Sequence, residues 1–344
     1  MTQDDSANGT RQPTLADVAR EAGCSPTTVS RVLNERGYLS QSLKDRVAAA
    51  IEKLGYRPNQ VARALHGGAT QTVGLIVPSV ALPFFGEVAV HIEDALANHG
   101  YRILVCNSMG RADREREYLD LLVGHRVDGI ISGAHNEEML EYHRIHMPLV
   151  TVDREIAPWI PNVRCDNELG GQLATQHLLD RGAQAPALLT SRSGPLNLRE
   201  KGYRKVLQEH GIRPVVLTVD FHTPPGERQD LVNSRMDAVA SHVDAVFCTD
   251  DLAAAEVIEW ARLRNVDVPR HIKVVGFDGT TTLRRALPTL TTVRQPVERI
   301  AFEAVETLVH MIRTGNGIPA DHSAQTRRVA PIEFAPDLIV GATT

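Results

Sequence analysis

The sequence predicts a small all-α helix-turn-helix head followed by an α/β body of two doubly wound parallel-sheet subdomains. Three observations predict this architecture. The first 65 or so residues show helical apolar spacing interrupted by a glycine turn. From residue 72 onward, short apolar runs alternate with amphipathic stretches. A proline-rich stretch without periodicity, residues 154–167, divides these runs into two groups of four.

The length and composition are those of a soluble protein with more than one domain. The chain has 344 residues, of which 42% are hydrophobic and 23% are charged. It has no apolar run of 18 residues and no basic segment leading into an apolar N-terminal core, so we expect it to remain in the cytoplasm. The cysteines lie far apart, without a CxxC pair, and we expect reduced core residues with no disulfide, metal or cofactor. They are Cys24, Cys106, Cys165 and Cys248.

The net charge of −5 conceals an asymmetry. Residues 11–66 contain nine Lys/Arg and five Asp/Glu, a net charge of +4, whereas residues 67–344 contain 28 basic and 35 acidic residues, a net charge of −7. A basic head on an acidic body favours a polyanionic partner that the head alone binds.

Two helices joined by a tight turn are predicted in the head. Thr14 is a candidate N-cap of the first helix, and Gly23 is placed to end it. The pattern restarts after Cys24, with Ser25 as N-cap and Pro26 in the first helical position. The apolar stripes of the two helices are Leu15, Val18, Ala19 and Ala22, and then Val29, Val32 and Leu33.

The second helix presents a polar face opposite its apolar stripe, formed by Pro26, Thr27, Thr28, Ser30, Arg31 and Asn34. Short hydroxyls can approach base edges or thymine methyl groups, and an arginine can hold guanine or clamp a phosphate. This face therefore suits the major groove of DNA. An ordinary solvated helix face is the alternative, and these residues alone do not exclude it.

A third helix is predicted to open at Ser42, with Asp45 three residues later, and to end at Gly55. Pro58 stops that helix, Asn59 can cap a new one, and glycines 67 and 68 end it after about two turns. So short a helix is marginal in water when it stands alone.

The body shows the spacing of βαβ units. The apolar runs are residues 73–77, 103–106, 129–132, 149–152, 187–190, 215–219, 245–248 and 273–277. Ligands of open parallel sheets bind beyond the carboxyl ends of the strands, where polar residues follow these runs. Those residues are Ser79, Asn107, Asp153, Arg154, Ser191, Asp250 and Asp278. Dinucleotide, P-loop and nucleophile-elbow motifs are absent from the sequence, and Asp250-Asp251 alone does not indicate a metal site.

Here the sequence resembles a known family. Thr14-Leu-Ala-Asp-Val-Ala-x-x-Ala-Gly-x-Ser-x-x-Thr-Val-Ser-Arg-Val-Leu-Asn, followed by Gly55-Tyr-x-Pro-Asn-x-Val-Ala-Arg-Ala-Leu, resembles the head and hinge of the lac-repressor (LacI/GalR) family. The resemblance implies that the second helix enters the major groove of operator DNA and that Leu65 wedges into the minor groove, with Ala62 beside it and Asn59 on the backbone. The implied DNA-binding residues are Leu15, Ser25, Pro26, Thr27, Thr28, Ser30, Arg31, Asn34, Tyr38, Asn59, Ala62 and Leu65.

The body resembles the effector domain of the same family, which is similar to periplasmic sugar-binding proteins. Pro83-Phe-Phe85, Arg199-x-x-Gly-Tyr203, Val275-Gly-Phe-Asp278 and Thr292-Val-Arg-Gln-Pro296 carry this resemblance. The implied ligand-binding residues are Phe84, Phe85, Asp153, Arg199, Asp250, Asp278 and Gln295. An arginine with several acids favours a polyol, so a sugar is expected. Ser193-Gly-Pro195 lacks the Arg and Thr of the purine-binding relative, which weakens a nucleobase ligand.

The resemblance implies a transcriptional regulator, a repressor of carbohydrate-utilisation genes, that binds a pseudo-palindromic operator as a homodimer or tetramer and responds to a small effector. The expected domains are a disordered segment 1–12, a head 13–57, a hinge 58–70, a first subdomain 71–171 with 296–322, and a second subdomain 172–295 with 323–344. The alternatives are a regulator that answers to a nucleobase or a partner protein, a transport-type sugar-binding protein, and a sugar-modifying enzyme. The basic head argues against the transport protein, and no nucleophile or base arrangement supports the enzyme.

Overall fold

A computed structural model describes residues 13–33, 39–56, 69–134, 136, 139–221, 223–315, 317 and 328–344. The chain divides into two compact units, the head (1–70) and the body (71–344). Among the described residues, no helix is both long and apolar enough to cross a bilayer.

The head contains α1 (Leu15–Glu21), α2 (Pro26–Leu33) and α3 (Gln41–Leu54). The predicted cap of α1 is confirmed, because Thr14 and Asp17 form a capping box in which the Thr14 N–H donates to Asp17 Oδ2 at 2.9 Å. The predicted start of α3 at Ser42 is wrong. Ser40 has the extended backbone of an N-cap, so Ser42 already lies inside the helix. Gly55 ends α3 in the left-handed conformation, as predicted.

The three head helices share one apolar core. Its buried members are Val18, Ala19, Ala22, Val29, Val47, Ala50 and Tyr56, and Leu15, Val32 and Leu33 pack against them. The two apolar stripes predicted from the sequence therefore face each other and α3.

The first subdomain is built on a six-stranded sheet. Its strands are β1 (Thr72–Val77), β2 (Arg102–Asn107), β3 (Gly129–Ser132), β4 (Leu149–Val152), β5 (Asn162–Cys165) and β11 (Ile332–Phe334). They pair in parallel in the order β11-β5-β4-β3-β1-β2. The helices of this subdomain are α4 (Pro83–Asn98), α5 (Ala112–Gly124), a 3-10 helix (Leu140–Arg144) and α11 (Val297–Thr314).

The second subdomain repeats this plan. Its strands are β6 (Pro186–Thr190), β7 (Val215–Thr218), β8 (Ala245–Cys248), β9 (Lys273–Asp278), β10 (Thr291–Arg294) and β12 (Asp337–Ile339), in the order β12-β10-β9-β8-β6-β7. Among the strand pairings described for this sheet, β10 and β12 pair antiparallel and the others pair in parallel. Its helices are α6 (Asn167–Asp180), α7 (Leu198–Glu209), α8 (Pro225–Asp237), α9 (Asp251–Arg264) and α10 (Thr281–Ala286).

The sheet topology corrects two expected subdomain boundaries. The boundary expected after residue 171 falls inside α6, which packs against strands of the second sheet, so the chain crosses before Asn167. The segment 323–344, expected to lie wholly in the second subdomain, contributes β11 to the first sheet, beside β5. The boundary expected before residue 296 agrees with the start of α11, which packs on α4 and on β3, β4 and β5.

The predicted alternation of strands and helices is confirmed. Each sheet contains two strands in addition to the four that were predicted for it. β5 lies in the stretch 154–167, and it was not predicted because the polar residues Asn162 and Arg164 interrupt its apolar run. The strands β1, β3, β4, β6 and β8 are almost entirely buried, as expected of parallel sheets covered on both faces. Cys106, Cys165 and Cys248 are buried, Cys24 is partly buried, and all four are free thiols.

Candidate ligand cleft and nucleic-acid interface

A cavity of about 660 Å³ lies in the body between the two subdomains. The carboxyl ends of strands from both sheets supply its walls, as the parallel topology requires. Asp153 follows β4 on the first side, and Ser191, Asp250 and Asp278 lie at or after the ends of β6, β8 and β9 on the second.

Arg199, at the start of α7, is the central polar group of this cavity. Its Nε donates to Asn167 Oδ1 at 2.7 Å, and its Nη1 donates to the Thr249 carbonyl oxygen. Two carboxylates complete the surroundings: Asp278 Oδ1 lies 3.3 Å from Nη1, and Asp153 Oδ1 lies 3.7 Å from Nη2. Because Asp153 belongs to the first subdomain, this arginine bridges the cleft.

The guanidinium of Arg199 also lies over an aromatic ring. Its Cζ is 3.8 Å from the centroid of Phe277, a cation–π contact. Phe277 in turn fills the space beside Gly170, where a Cβ would come within 2.6 Å of the ring. The arginine is therefore held by hydrogen bonds at its edge and by packing on its face.

Asp278 is a carboxylate in an unusual environment. Gln295 Nε2 donates to its Oδ1 at 2.8 Å. Burial raises its pKa well above the ordinary value, and the positive charge of Arg199 opposes that rise. Its backbone φ is +99°, and that of Asp153 is +65°. Such conformations cost about 1–3 kcal/mol in non-glycine residues and concentrate at binding sites.

Asp251, the first residue of α9, is a buried acid in the cavity wall. It accepts hydrogen bonds from Thr292 Oγ1 at 2.5 Å and from the Gly279 N–H at 2.8 Å. Burial raises its pKa to about 7, against the effect of these two hydrogen bonds. It links β8 to the loop after β9 and to β10.

Because the folded state favours protonated Asp251, the free energy of unfolding should fall as pH rises from about 4 to about 7, by at most about 1.4 kcal/mol per pH unit. The variant Asp251→Asn lacks this titration and keeps a group that can pair with Thr292 and Gly279. We expect wild type to lose stability relative to Asp251→Asn between pH 5 and pH 8, measured by denaturant unfolding at each pH. A constant difference across that range would contradict the raised pKa.

A second charged pair lines the cavity on α8 and α9. Arg228 Nε donates to Glu256 Oε1 at 2.8 Å and to Oε2 at 3.0 Å. Asp250, the N-cap of α9, lies on the same wall and accepts from the Ala253 N–H at 2.8 Å. Burial raises the pKa of Glu256, and Arg228 opposes that rise.

Apolar side chains form another part of the cavity surface. Phe84 and Phe85, at the start of α4, are buried and stack edge to face with their centroids 5.1 Å apart. Phe221 lines the cavity from the loop after β7, and Leu252 lines it from α9. The cavity thus combines clustered charges with ring-sized apolar surfaces.

The structure brings most of the expected cleft residues together. Phe84, Phe85, Asp153, Arg199, Asp250 and Asp278 all line the cavity. Gln295, expected as a ligand contact, is instead 3% exposed and lies behind Asp278, so its expected role is corrected to support of that carboxylate. Ser79 and Asn107 lie off the cavity, where they accept from the backbone N–H groups of Ala81 and Val80.

Sequence reasoning missed several cavity residues. Asn167 follows a short unrecognised strand, and Arg228 and Glu256 lie on helices whose polar positions resemble any solvated helix face. The only available signal for them is position, because each lies within one or two turns of a helix start at the carboxyl edge of the sheet.

In the head, the polar face of α2 is solvent-accessible. Ser25, Pro26, Thr27 and Arg31 are exposed, and Thr28 and Ser30 are partly exposed. Ser25 Oγ accepts from the Thr28 N–H at 3.1 Å, which confirms Ser25 as the N-cap. Leu15 is partly buried against the head core. Asn34, Tyr38, Asn59, Ala62 and Leu65 lie outside the described residues.

Comparisons with known proteins identify both parts of the chain. The family of bacterial regulatory proteins called the lacI family matches residues 14–59, and the periplasmic binding protein-like domain family matches residues 175–332. The sucrose operon repressor of Pediococcus pentosaceus is 40% identical over 308 residues, 89% of this chain and 94% of that protein. The ribose operon repressor of Halalkalibacterium halodurans is 34% identical over 301 residues, 87% of this chain and 90% of that protein.

A solved structure extends the similarity to the fold of the body. The crystal structure of a periplasmic binding protein/LacI transcriptional regulator from Alkaliphilus metalliredigens, complexed with D-xylulofuranose, superposes with a TM-score of 0.68 and 29% identity, over 80% of this chain and 99% of that one. Because the similarity to the repressors extends over nearly their whole length and includes the head, the chain belongs to the lacI family of bacterial regulatory proteins.

Proposed function

We propose that this protein is a cytoplasmic transcriptional repressor of carbohydrate-utilisation genes, which binds a small sugar in the body cavity and operator DNA through α2. The observation that carries the proposal is Arg199 held between Asp153 and Asp278 in a cavity with aromatic walls. The similarity to sucrose and ribose operon repressors supports the carbohydrate assignment.

The chemistry of the cavity suits a polyol. A sugar hydroxyl can accept from Arg199 and donate to a carboxylate at the same time, and vicinal hydroxyls match the spacing of a guanidinium flanked by acids. The apolar rings of Phe84 and Phe85 offer a surface for the C–H face of a sugar ring.

On the DNA side, the exposed hydroxyls of α2 and the guanidinium of Arg31 can reach base edges in the major groove. Two heads of a homodimer reading two half-sites would give a pseudo-palindromic operator. The hinge residues Asn59, Ala62 and Leu65 would add contacts in the minor groove.

Coupling between cavity and operator requires a ligand that prefers one closure state of the body. Contacts between the subdomains beside the cavity include Arg199 with Asp153 at 3.7 Å and the Thr281 N–H with Glu87 Oε2 at 2.7 Å. A sugar that competes for the first of these changes the free energy of closure and thereby the affinity for DNA.

The DNA assignment is tested by selecting bound sequences from random DNA with the full-length protein and then measuring Arg31→Ala on the selected site. We expect a pseudo-palindromic consensus, and a loss of affinity for that site of about 1–3 kcal/mol, or roughly 5- to 150-fold. Fluorescence anisotropy at fixed salt measures this loss, since electrostatic binding depends on salt.

Lys53→Ala is the matched control, because it removes one positive charge from α3, where Lys53 pairs with Glu21 at 2.7 Å. Its expected effect on the selected site is small. Equal losses for Arg31→Ala and Lys53→Ala would mean that α2 contributes only charge.

A further inference from the structure

The pair formed by Arg228 and Glu256 stands apart from the Arg199 cluster. Both side chains line the cavity and are only 16% and 19% exposed. Arg228 Nη1 also donates to the Asp220 carbonyl oxygen at 3.1 Å, just past the end of β7. The contacts of Arg199 described above involve neither member of the pair.

The strand order separates the strand ends beside which the two clusters lie. β7 lies at the edge of the second sheet and is separated from β9, which ends in Asp278, by β6 and β8. Adjacent strands lie about 4.8 Å apart, so three spacings place the two strand ends roughly 14 Å from each other. This spacing of the strand ends exceeds the width of one pyranose ring.

The Arg228 end can bind hydroxyl groups. Nη2 of Arg228 has no hydrogen-bond partner among the residues that the structure describes, and a carboxylate accepts more bonds than the two that Glu256 receives from Nε. With Asp250 on the same wall, this end holds one guanidinium and two carboxyl groups. That charge balance favours a neutral polyol over a phosphate.

We propose that Arg228 and Glu256 form a second sugar subsite and that the effector is a neutral disaccharide, with one ring at Arg199 and the other at Arg228. This inference rests on the proposed function, since it presumes that a sugar binds at Arg199. The cavity of about 660 Å³ falls within the range of about 300–1,000 Å³ that is typical of small-molecule sites. Leu252 and Ala255, on the first turns of α9, add apolar surface for the second ring.

The test is calorimetric titration of the full-length protein with sucrose, maltose, cellobiose, D-glucose, D-fructose and glucose 6-phosphate. We expect one disaccharide to bind at least about tenfold more tightly than any of the monosaccharides. Arg228→Ala should lower the affinity for that disaccharide about tenfold or more and leave the affinity for the monosaccharides within about threefold. Arg199→Ala should weaken both classes.

Two further variants keep the result interpretable. Arg235→Ala removes a basic residue from the exposed side of the same helix, outside the cavity, and should leave every affinity unchanged. The double variant Arg228→Gln with Glu256→Gln removes both charges together, so no unpaired ion is left, and should show the same selective loss as Arg228→Ala.

Monosaccharides that bind as tightly as every disaccharide, or an Arg228→Ala loss equal for both classes, would overturn the second subsite while the sugar function stands. Tighter binding of glucose 6-phosphate than of any disaccharide, lost in Arg228→Ala, would overturn the neutral ligand. If no sugar binds at all, the proposed function and this inference fail together.

Discussion

Replacing Arg199 with alanine is expected to lower the affinity for the sugar effector at least about 100-fold and to abolish the effect of that sugar on operator binding. Hydrogen bonds from a charged donor contribute about 1.5–3 kcal/mol each. A guanidinium can donate two such bonds to one ligand, so the free energy of sugar binding should weaken by about 3 kcal/mol or more. Arg199 also holds Asn167 and Asp278 in place, which adds to the loss. Calorimetry and operator binding with and without sugar measure the two effects.

The body should still fold without Arg199. Burial already raises the pKa of Asp278, and removal of the neighbouring cation raises it further, which lowers the cost of leaving this carboxyl without a cation. Thermal unfolding of the unliganded variant checks this. Arg199→Lys keeps the positive charge but lacks the planar guanidinium that can donate two parallel hydrogen bonds. We expect its sugar affinity to lie between those of Arg199→Ala and wild type.

Lys205→Ala is the matched control, because Lys205 lies on α7 like Arg199 but is exposed and does not line the cavity. It should bind sugar and operator as wild type does. A sugar response that survives Arg199→Ala unchanged would place the effector site elsewhere and remove the main support for the proposed function.

Local patterns predicted the parts of the fold that depend on local chemistry. Thr14, Ser25 and Gly55 predict helix ends because capping requires particular residue types at particular positions. Buried parallel strands are apolar over most of their length, so β1, β3 and β8 could be predicted from their apolar runs. The strand-end rule then placed Asp153, Asp250 and Asp278 on one cavity.

Features that depend on contacts between distant residues have no local sequence pattern that would predict them. β5 and β11 pair with each other across more than 160 residues, and neither is a continuous apolar run, because Asn162 and Arg164 interrupt β5 and Glu333 interrupts β11. Arg228 and Glu256 are 28 residues apart, and nothing in either helix shows that they meet. Gln295 resembled a ligand contact because it adjoins the crossover, but only the packed structure shows that Asp278 lies in front of it.

The contact between α6 and α7 is another such feature, and it carries the largest expected effect on stability. A Cβ added at Gly171 would lie 2.2 Å from the carbonyl oxygen of Arg199, and one added at Gly202 would lie 2.2 Å from that of Glu168. The two helices therefore touch backbone to backbone, next to the residues that bind Arg199. Neither glycine has a positive φ, so their absent side chains, not their backbone freedom, allow this approach.

We expect Gly171→Ala to destabilise the body by about 3 kcal/mol or more, because a backbone atom cannot move aside as a flexible side chain can. This corresponds to a fall in melting temperature of roughly 6 °C or more. Gly124→Ala, at the exposed end of α5 where an added Cβ meets no atom within 4 Å, is the control and should be neutral or slightly stabilising. Any Gly171→Ala protein that remains folded must separate α7 from α6, which moves Arg199 away from Asn167. Its sugar affinity should therefore fall together with its stability, whereas a stable variant with full affinity would show that this helix contact does not position the arginine.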